Sequence, residues 1–131
     1  MNFYLASGYS NRYNLRELAQ DLIRKGHTIQ SSWIYIEDRP DRTDSSIWDS
    51  FAADIARFNL QDLEKSDAMI VDANGIRPDG NGGAHFEMGF GIASSMTMFY
   101  VGERRNTFAW LPEICVVENY EQLLDIIPDE E

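Results

Sequence analysis

Short, largely apolar runs alternate along this chain with stretches whose apolar residues return every three or four positions. That alternation constrains the fold more than any other feature. Ala68–Val71 is apolar throughout, as a strand covered on both faces must be. Asn2–Ala6, Thr97–Val101 and Ile114–Val117 read as strands of similar length, and His27–Ile36 holds another, with Thr28, Ile29, Trp33, Ile34 and Tyr35 supplying β-branched and aromatic character. Between them Leu15, Leu18, Ala19, Leu22 and Ile23, and later Ile47, Phe51, Ile55, Phe58 and Leu63, mark the buried faces of two helices. A third helix is expected from about Gly83 to Ser95 and a short last one over Tyr120–Ile127, ended by Pro128. Strand–helix alternation implies parallel strands joined by right-handed crossovers. The expectation is one α/β domain over residues 1–131, a three-layer, doubly wound parallel sheet of five strands, flavodoxin- or Rossmann-like.

Loops punctuate this pattern where the residue types demand it. Ser7-Gly8-Tyr9-Ser10-Asn11 is a turn rich in helix-capping residues, Gly26 stops the first helix, and Glu37–Asp44, with Pro40, is a polar loop after which Asp44 or Ser45 can cap the second. In a doubly wound sheet the loops after the first and third strands share the carboxyl edge, where ligand sites are built. Ser7–Arg12, Asp72 and Gly82–Glu87 are therefore expected around one crevice.

Charge narrows what that crevice can bind. Eleven basic against 22 acidic residues give a net charge of −11, which repels a polynucleotide backbone. A small nucleotide is compatible with that field, because backbone N–H groups and one arginine can outweigh distant acids. No apolar stretch approaches the roughly 20 residues of a membrane span, and no basic, signal-like start precedes the first strand, so a cytoplasmic location away from membranes is expected. Cys115 is the only cysteine and reads as core; His27 and His85 form no His-x-x-x-His pair, so neither a disulfide nor a zinc site is expected.

The segment Gly82-Gly-Ala-His-Phe-Glu-Met-Gly-Phe-Gly-Ile-Ala93 places one carboxylate, Glu87, in an apolar, glycine-rich helix start. A carboxylate in a first turn is favoured by the helix dipole at roughly 0.3–1 kcal/mol, and that alone explains a glutamate. It does not explain the apolar neighbours Phe86, Met88, Phe90 and Ile92, nor glycines at 82, 83, 89 and 91 that suggest close backbone approach. Asp72 ends an apolar strand, where open α/β sheets place catalytic groups, although a loop-starting aspartate bonding nearby N–H groups is common. Asp79, in Pro-Asp-Gly, reads as a turn residue. The Ser7–Arg12 loop suits a phosphate with Arg12 as clamp, or a plain capping turn; it is neither a Walker A loop nor Gly-x-Gly-x-x-Gly. His85 reads as a half-exposed helix-start residue. Trp33, Trp48 and Trp110 read as packing residues, the first two placed to stack on a planar ring.

Three motifs, Phe3-Tyr-Leu-Ala-Ser-Gly8, Ser66-Asp-Ala-Met-Ile-Val-Asp72 and Gly82–Ala93, resemble the nucleoside 2-deoxyribosyltransferase superfamily, which also includes nucleotide N-glycosidases. The superfamily's Glu-Leu-Gly-x-Ala stands here as Glu87-Met-Gly-Phe-Gly, and Asn106-Thr-Phe-Ala-Trp-Leu-Pro112 is similar to a segment of its small members. The resemblance implies a glutamate nucleophile, Glu87, that attacks the anomeric carbon of a nucleoside or nucleoside 5′-monophosphate. It further implies an aspartate near Asp72 to manage the proton on the departing base, and a first-loop tyrosine, Tyr9, to orient the glutamate. Ser7, Gly8, Arg12, Gly82, Gly83 and His85 would bind the substrate. No metal or redox cofactor is implied, and a homodimer or larger homo-oligomer, completing the site with a neighbour's polar residues, is. A non-catalytic nucleotide-binding module of the same fold, or a structural protein in which Glu87 caps its helix, are the alternatives.

Overall fold

The computed structural model describes residues 1–130. Five strands, β1 (Asn2–Ala6), β2 (Thr28–Ile29), β3 (Ala68–Asp72), β4 (Thr97–Val101) and β5 (Ile114–Val117), form one parallel sheet in the order β2-β1-β3-β4-β5. Helices α1 (Arg12–Arg24), α2 (Ser45–Glu64), α3 (Gly83–Ala93) and α4 (Tyr120–Ile126) complete the doubly wound α/β architecture. Strand order reverses between β1 and β3. Their carboxyl ends therefore diverge into loops that leave opposite faces and open a crevice between them.

The central strand β3 is buried at every residue, which is why its sequence carries no polar alternation until Asp72. Leu5, Ile70, Phe99 and Cys115 lie in one register row across β1, β3, β4 and β5. Cys115 is nevertheless exposed, contrary to its reading as core: β5 is an edge strand, and it buries Ile114 and Val117 instead. Helix α1 packs through Leu15, Leu18, Ala19 and Leu22, and Gly26 ends it with φ +94°.

The second strand is far shorter than His27–Ile36. Side chains explain why. Beyond Gln30, whose N–H donates to Phe3 O at 2.8 Å, the ladder to β1 passes from backbone to side-chain partners: Ser31 Oγ accepts from Leu5 N at 3.0 Å, and Trp33 Nε1 donates to Leu5 O at 2.8 Å. With the β1 edge satisfied this way, the chain is free to curl into a 3-10 turn at Ser32–Tyr35. Helix α2 departs from expectation too. Of its predicted buried face only Leu63 is fully buried, while Ile47 and Phe58 are more than half exposed. Phe51 and Ile55, from the expected face, turn toward the crevice together with Trp48 and Asn59, which were not part of it. No described helix is long and apolar enough to cross a membrane.

Candidate active site

The crevice has two chambers. The smaller, about 320 Å³, is walled by Trp33, Ile36, Trp48, Phe51 and Ile55, with Glu87 and Asn59 as polar residues among its lining. The larger, about 970 Å³, runs along Gly8, Ser10, the loop from Ile76 to Gly82 and the start of α3 through His85. Ser7, Tyr9, Arg39, Gly83 and Ala84 line both and mark the junction.

Glu87 lies one turn into α3 rather than in its first turn, because the helix begins at Gly83. The macrodipole therefore does not account for it. Its side chain points inward, 8% exposed, and its Oε2 accepts a short hydrogen bond from the Tyr4 hydroxyl. Tyr4 is fully buried in β1, so the strand itself sets the position of that hydroxyl. Burial pushes the Glu87 carboxyl up to about 7, against the lowering pull of the Tyr4 bond. Burial, with Glu87 beside it, holds the Tyr4 phenol above its usual range, so Tyr4 is a donor throughout the neutral pH range. The helix around Glu87 is less enclosed than its composition suggests. Glu87, Met88 and Gly91 are buried, whereas Phe86 is 63% exposed. Only one α3 glycine permits a close approach within the chain: a Cβ at Gly91 would meet Met69 and Met98 at 2.9 Å.

The hydroxyl on Glu87 is thus that of Tyr4 and not that of Tyr9, whose hydroxyl donates to Ile36 O at 2.6 Å while its ring lines the junction. Asp72 is not part of either chamber's lining. It is 3% exposed and spoken for: Oδ1 accepts from Asn74 N at 3.0 Å, and Oδ2 from Asn11 Nδ2 at 2.9 Å and from the Tyr120 hydroxyl. Ser7 Oγ donates to the Asp72 carbonyl at 2.8 Å, which ties the loop after β1 to the loop after β3. Gly8 N donates to Gly75 O at 3.2 Å in the same seam, and a Cβ on Gly8 would collide with that carbonyl.

Of the expected substrate-binding residues, Ser7, Gly8, Gly82, Gly83 and His85 line the large chamber. Arg12 does not. Its guanidinium lies 4.1 Å from the Tyr9 ring centroid and 3.8 Å from Glu37, outside the crevice. The arginines that do line the large chamber are Arg39, Arg42, Arg77 and Arg105. Asn59 was also unforeseen: its Oδ1 is buried with no hydrogen-bond partner. Among the described residues no group of three or more His, Cys, Asp or Glu side chains is placed to hold a metal ion.

The five-stranded doubly wound sheet that carries this buried carboxylate is a fold shared with known structures. A 2-deoxyribosyltransferase from the psychrotolerant bacterium Bacillus psychrosaccharolyticus has the same fold, with TM-score 0.65 and 18% identity over 99% of this chain and 98% of that one. A CMP N-glycosidase of Clostridium botulinum aligns with TM-score 0.56 and 12% identity over 95% and 96% of the two chains. No family model and no curated protein sequence matches this chain. At these identities the likeness is one of fold.

Proposed function

We propose that this chain cleaves or exchanges the N-glycosidic bond of a nucleoside or nucleoside 5′-monophosphate, with Glu87 as nucleophile. The observation that carries the reading is the state of Glu87: a buried carboxyl held through one oxygen by Tyr4, beside an aromatic chamber sized for a base and its sugar. In the first step a Glu87 oxygen bonds to C1′ as the C1′–N bond breaks, the bonding pair leaving with the base nitrogen. Tyr4 holds the other oxygen and fixes the approach. Asp72, enclosed by its three partners, positions the two crevice loops, and water entering through the open chamber supplies the proton that the base takes up. Water then attacks C1′ and regenerates Glu87, or a second base does so and the sugar is transferred.

The dimer expected from the resemblance belongs to the same proposal. Phe86, Phe108 and Trp110 are each more than 60% exposed, and His85 meets Asn106 at 3.2 Å where the α3 start touches their loop. Equilibrium sedimentation tests that association. The substrate would come from the cytoplasmic nucleotide pool.

A second reading is favoured by one observation: among the described residues Glu87 is the one carboxylic acid lining the small chamber, and none of the others meets the leaving base there. A nucleotide-binding module would need none. The deciding experiment incubates the protein with ribo- and deoxyribonucleosides and their 5′-monophosphates and measures released base by chromatography. Base release that disappears in Glu87→Ala supports the enzyme. Ligand-dependent thermal stabilisation with no base released from any compound supports the binding module.

A further inference from the structure

Basic residues are outnumbered two to one in this chain, 11 against 22. Four of them, Arg39, Arg42, Arg77 and Arg105, nonetheless line one chamber, where Asp79 is the one acid among the described residues. Asp79 is already paired with Arg77 at 3.1 Å. Among the described residues no carboxylate lies within 4.0 Å of Arg39, Arg42 or Arg105. In so acidic a protein, unpaired arginines gathered on one concave wall repel one another, and a bound anion is what relieves that repulsion. Arg39 shows the strain: its own burial, then Arg42, then Arg12 oppose its charge.

The guanidinium groups are also held in place. Arg39 lies 4.7 Å from the Tyr9 ring centroid and 5.3 Å from that of Trp48, and Arg42 lies 4.7 Å from Trp48. Such stacking fixes the guanidinium planes and leaves the N–H edge of Arg39 to a ligand, while Arg42 Nη1 and Nη2 meet the Asn81 side-chain amide oxygen, Nη2 at 2.8 Å. Arg105 Nη2 donates to the Ala73 carbonyl at 3.2 Å, which anchors it against the loop after β3. Size and charge then select the anion. The arginine chamber has about three times the volume of the one beside Glu87, far more than one phosphoryl group fills. Four guanidinium groups less one carboxylate leave three positive charges, which match the roughly three negative charges of a nucleoside diphosphate near neutral pH better than the smaller charge of a monophosphate.

We infer that the large chamber is a diphosphate site, so that the ligand of this crevice is a nucleotide carrying at least two linked phosphates. The inference rests on the proposed function for the placement of base and sugar beside Glu87. Arg39, at the junction of the chambers, takes the phosphate nearer the sugar; Arg77 and Arg105, which line the large chamber alone, take the farther one.

Calorimetric titration of the intact protein with nucleosides, their 5′-monophosphates and their 5′-diphosphates, over all common bases, tests this directly. For the base that fits, the diphosphate should bind roughly tenfold or more tightly than the monophosphate, and its affinity should fall as salt rises. Arg77→Gln with Arg105→Gln, at residues that line the large chamber alone, should remove that advantage while leaving the nucleoside's affinity unchanged. Arg57→Gln, on α2 away from both chambers, should change nothing. Salt dependence in the unaltered protein keeps the test decisive if the double variant misfolds. Equal affinity for monophosphate and diphosphate, or salt-independent diphosphate binding, overturns the inference. The two readings can fail separately. Base release from free nucleosides with no gain from added phosphates sinks the diphosphate site and leaves Glu87 as nucleophile. Tight diphosphate binding with no base released from any compound leaves the site and sinks the chemistry.

Discussion

Among the described residues two carboxylates are buried, and they are equipped for opposite tasks. Asp72 receives three hydrogen bonds, from Asn11, Asn74 and Tyr120, and holds together the loop after β1, the loop after β3 and the start of α4. Glu87 receives one, from Tyr4, and lines a chamber. A carboxylate offers about four lone-pair sites. Asp72 has used most of its capacity on the protein, whereas Glu87 keeps an oxygen for something that is not protein. Burial alone therefore does not mark a reactive acid; unspent hydrogen-bonding capacity facing a cavity does.

The sharpest break in that comparison is Glu87→Gln. The amide cannot form the glycosyl bond, so base release should fall by on the order of 10⁴-fold or more, measured under single-turnover conditions. Stability should move the other way. The folded protein holds the Glu87 proton up to about 7 against an ordinary 4.5, so between those values the folded state binds more protons than the unfolded state, and stability falls as pH rises. The stability present below pH 4.5 is lost by the time pH has passed through 7, a change of about 3 kcal/mol. Glu87→Gln should therefore be more stable than the parent at pH 8 and no more stable at pH 4.5, as chemical denaturation at the two pH values would show. A glutamine variant that loses stability at pH 8 would mean that the ionised carboxylate is structural.

Asp72→Asn should show the complementary pattern. Its amide has one oxygen for three donors and turns an NH₂ toward one of them, at a cost of about 2 kcal/mol. Activity in the folded fraction should fall less than about tenfold, with the pH profile unmoved, since Asp72 does not line the crevice. Loss of one limb of the profile would instead make it the proton donor that the resemblance implies.

The strand–helix alternation makes most of this fold legible, because parallel strands buried on both faces can carry little besides apolar residues. β1, β3, β4, β5 and α1 fall where periodicity puts them. β2 does not, because Ser31 and Trp33 bond to β1 through their side chains, which no periodicity reports. Glu87 is visible because an acid among glycines and apolar residues is anomalous. Tyr4 is hidden because a tyrosine in an apolar strand looks like packing; its one signal is that a buried phenol needs a partner. The arginines lie in irregular loops, where their convergence is a product of topology. Of the expected α2 face, Phe51 and Ile55 turn toward the crevice whereas the equally apolar Ile47 and Phe58 do not, because only the neighbouring elements decide which pair faces inward.

Tyr4→Phe tests the equipment of Glu87 more gently. With the hydroxyl gone, the contribution that lowers the Glu87 pKa disappears, so the carboxyl should ionise above its present value of about 7. The nucleophile must be ionised, so kcat/KM should rise through a midpoint displaced to higher pH, and at pH 7 it should be roughly tenfold down. Partial recovery at pH 9 would separate this from simple misfolding. A reduced rate with an unmoved midpoint would show that Tyr4 acts on the geometry of Glu87 and not on its charge.

Asn59 gives the smallest effect and the finest test of unspent capacity. Its Oδ1 is buried without a partner, on the α2 stripe that lines the same chamber as Glu87. An acceptor in that state costs stability in the empty protein and regains it when a ligand N–H arrives. Asn59→Ala should thus stabilise the free protein by roughly 1 kcal/mol in thermal or chemical denaturation. It should raise KM by about three- to tenfold with kcat within a factor of two, because the contact is made equally in ground and transition states. The pairing of a more stable apoprotein with a weaker ligand is the signature, since a packing residue would lose stability and affinity together. If Asn59→Ala destabilises the free protein and leaves KM alone, the orphaned oxygen is no ligand contact.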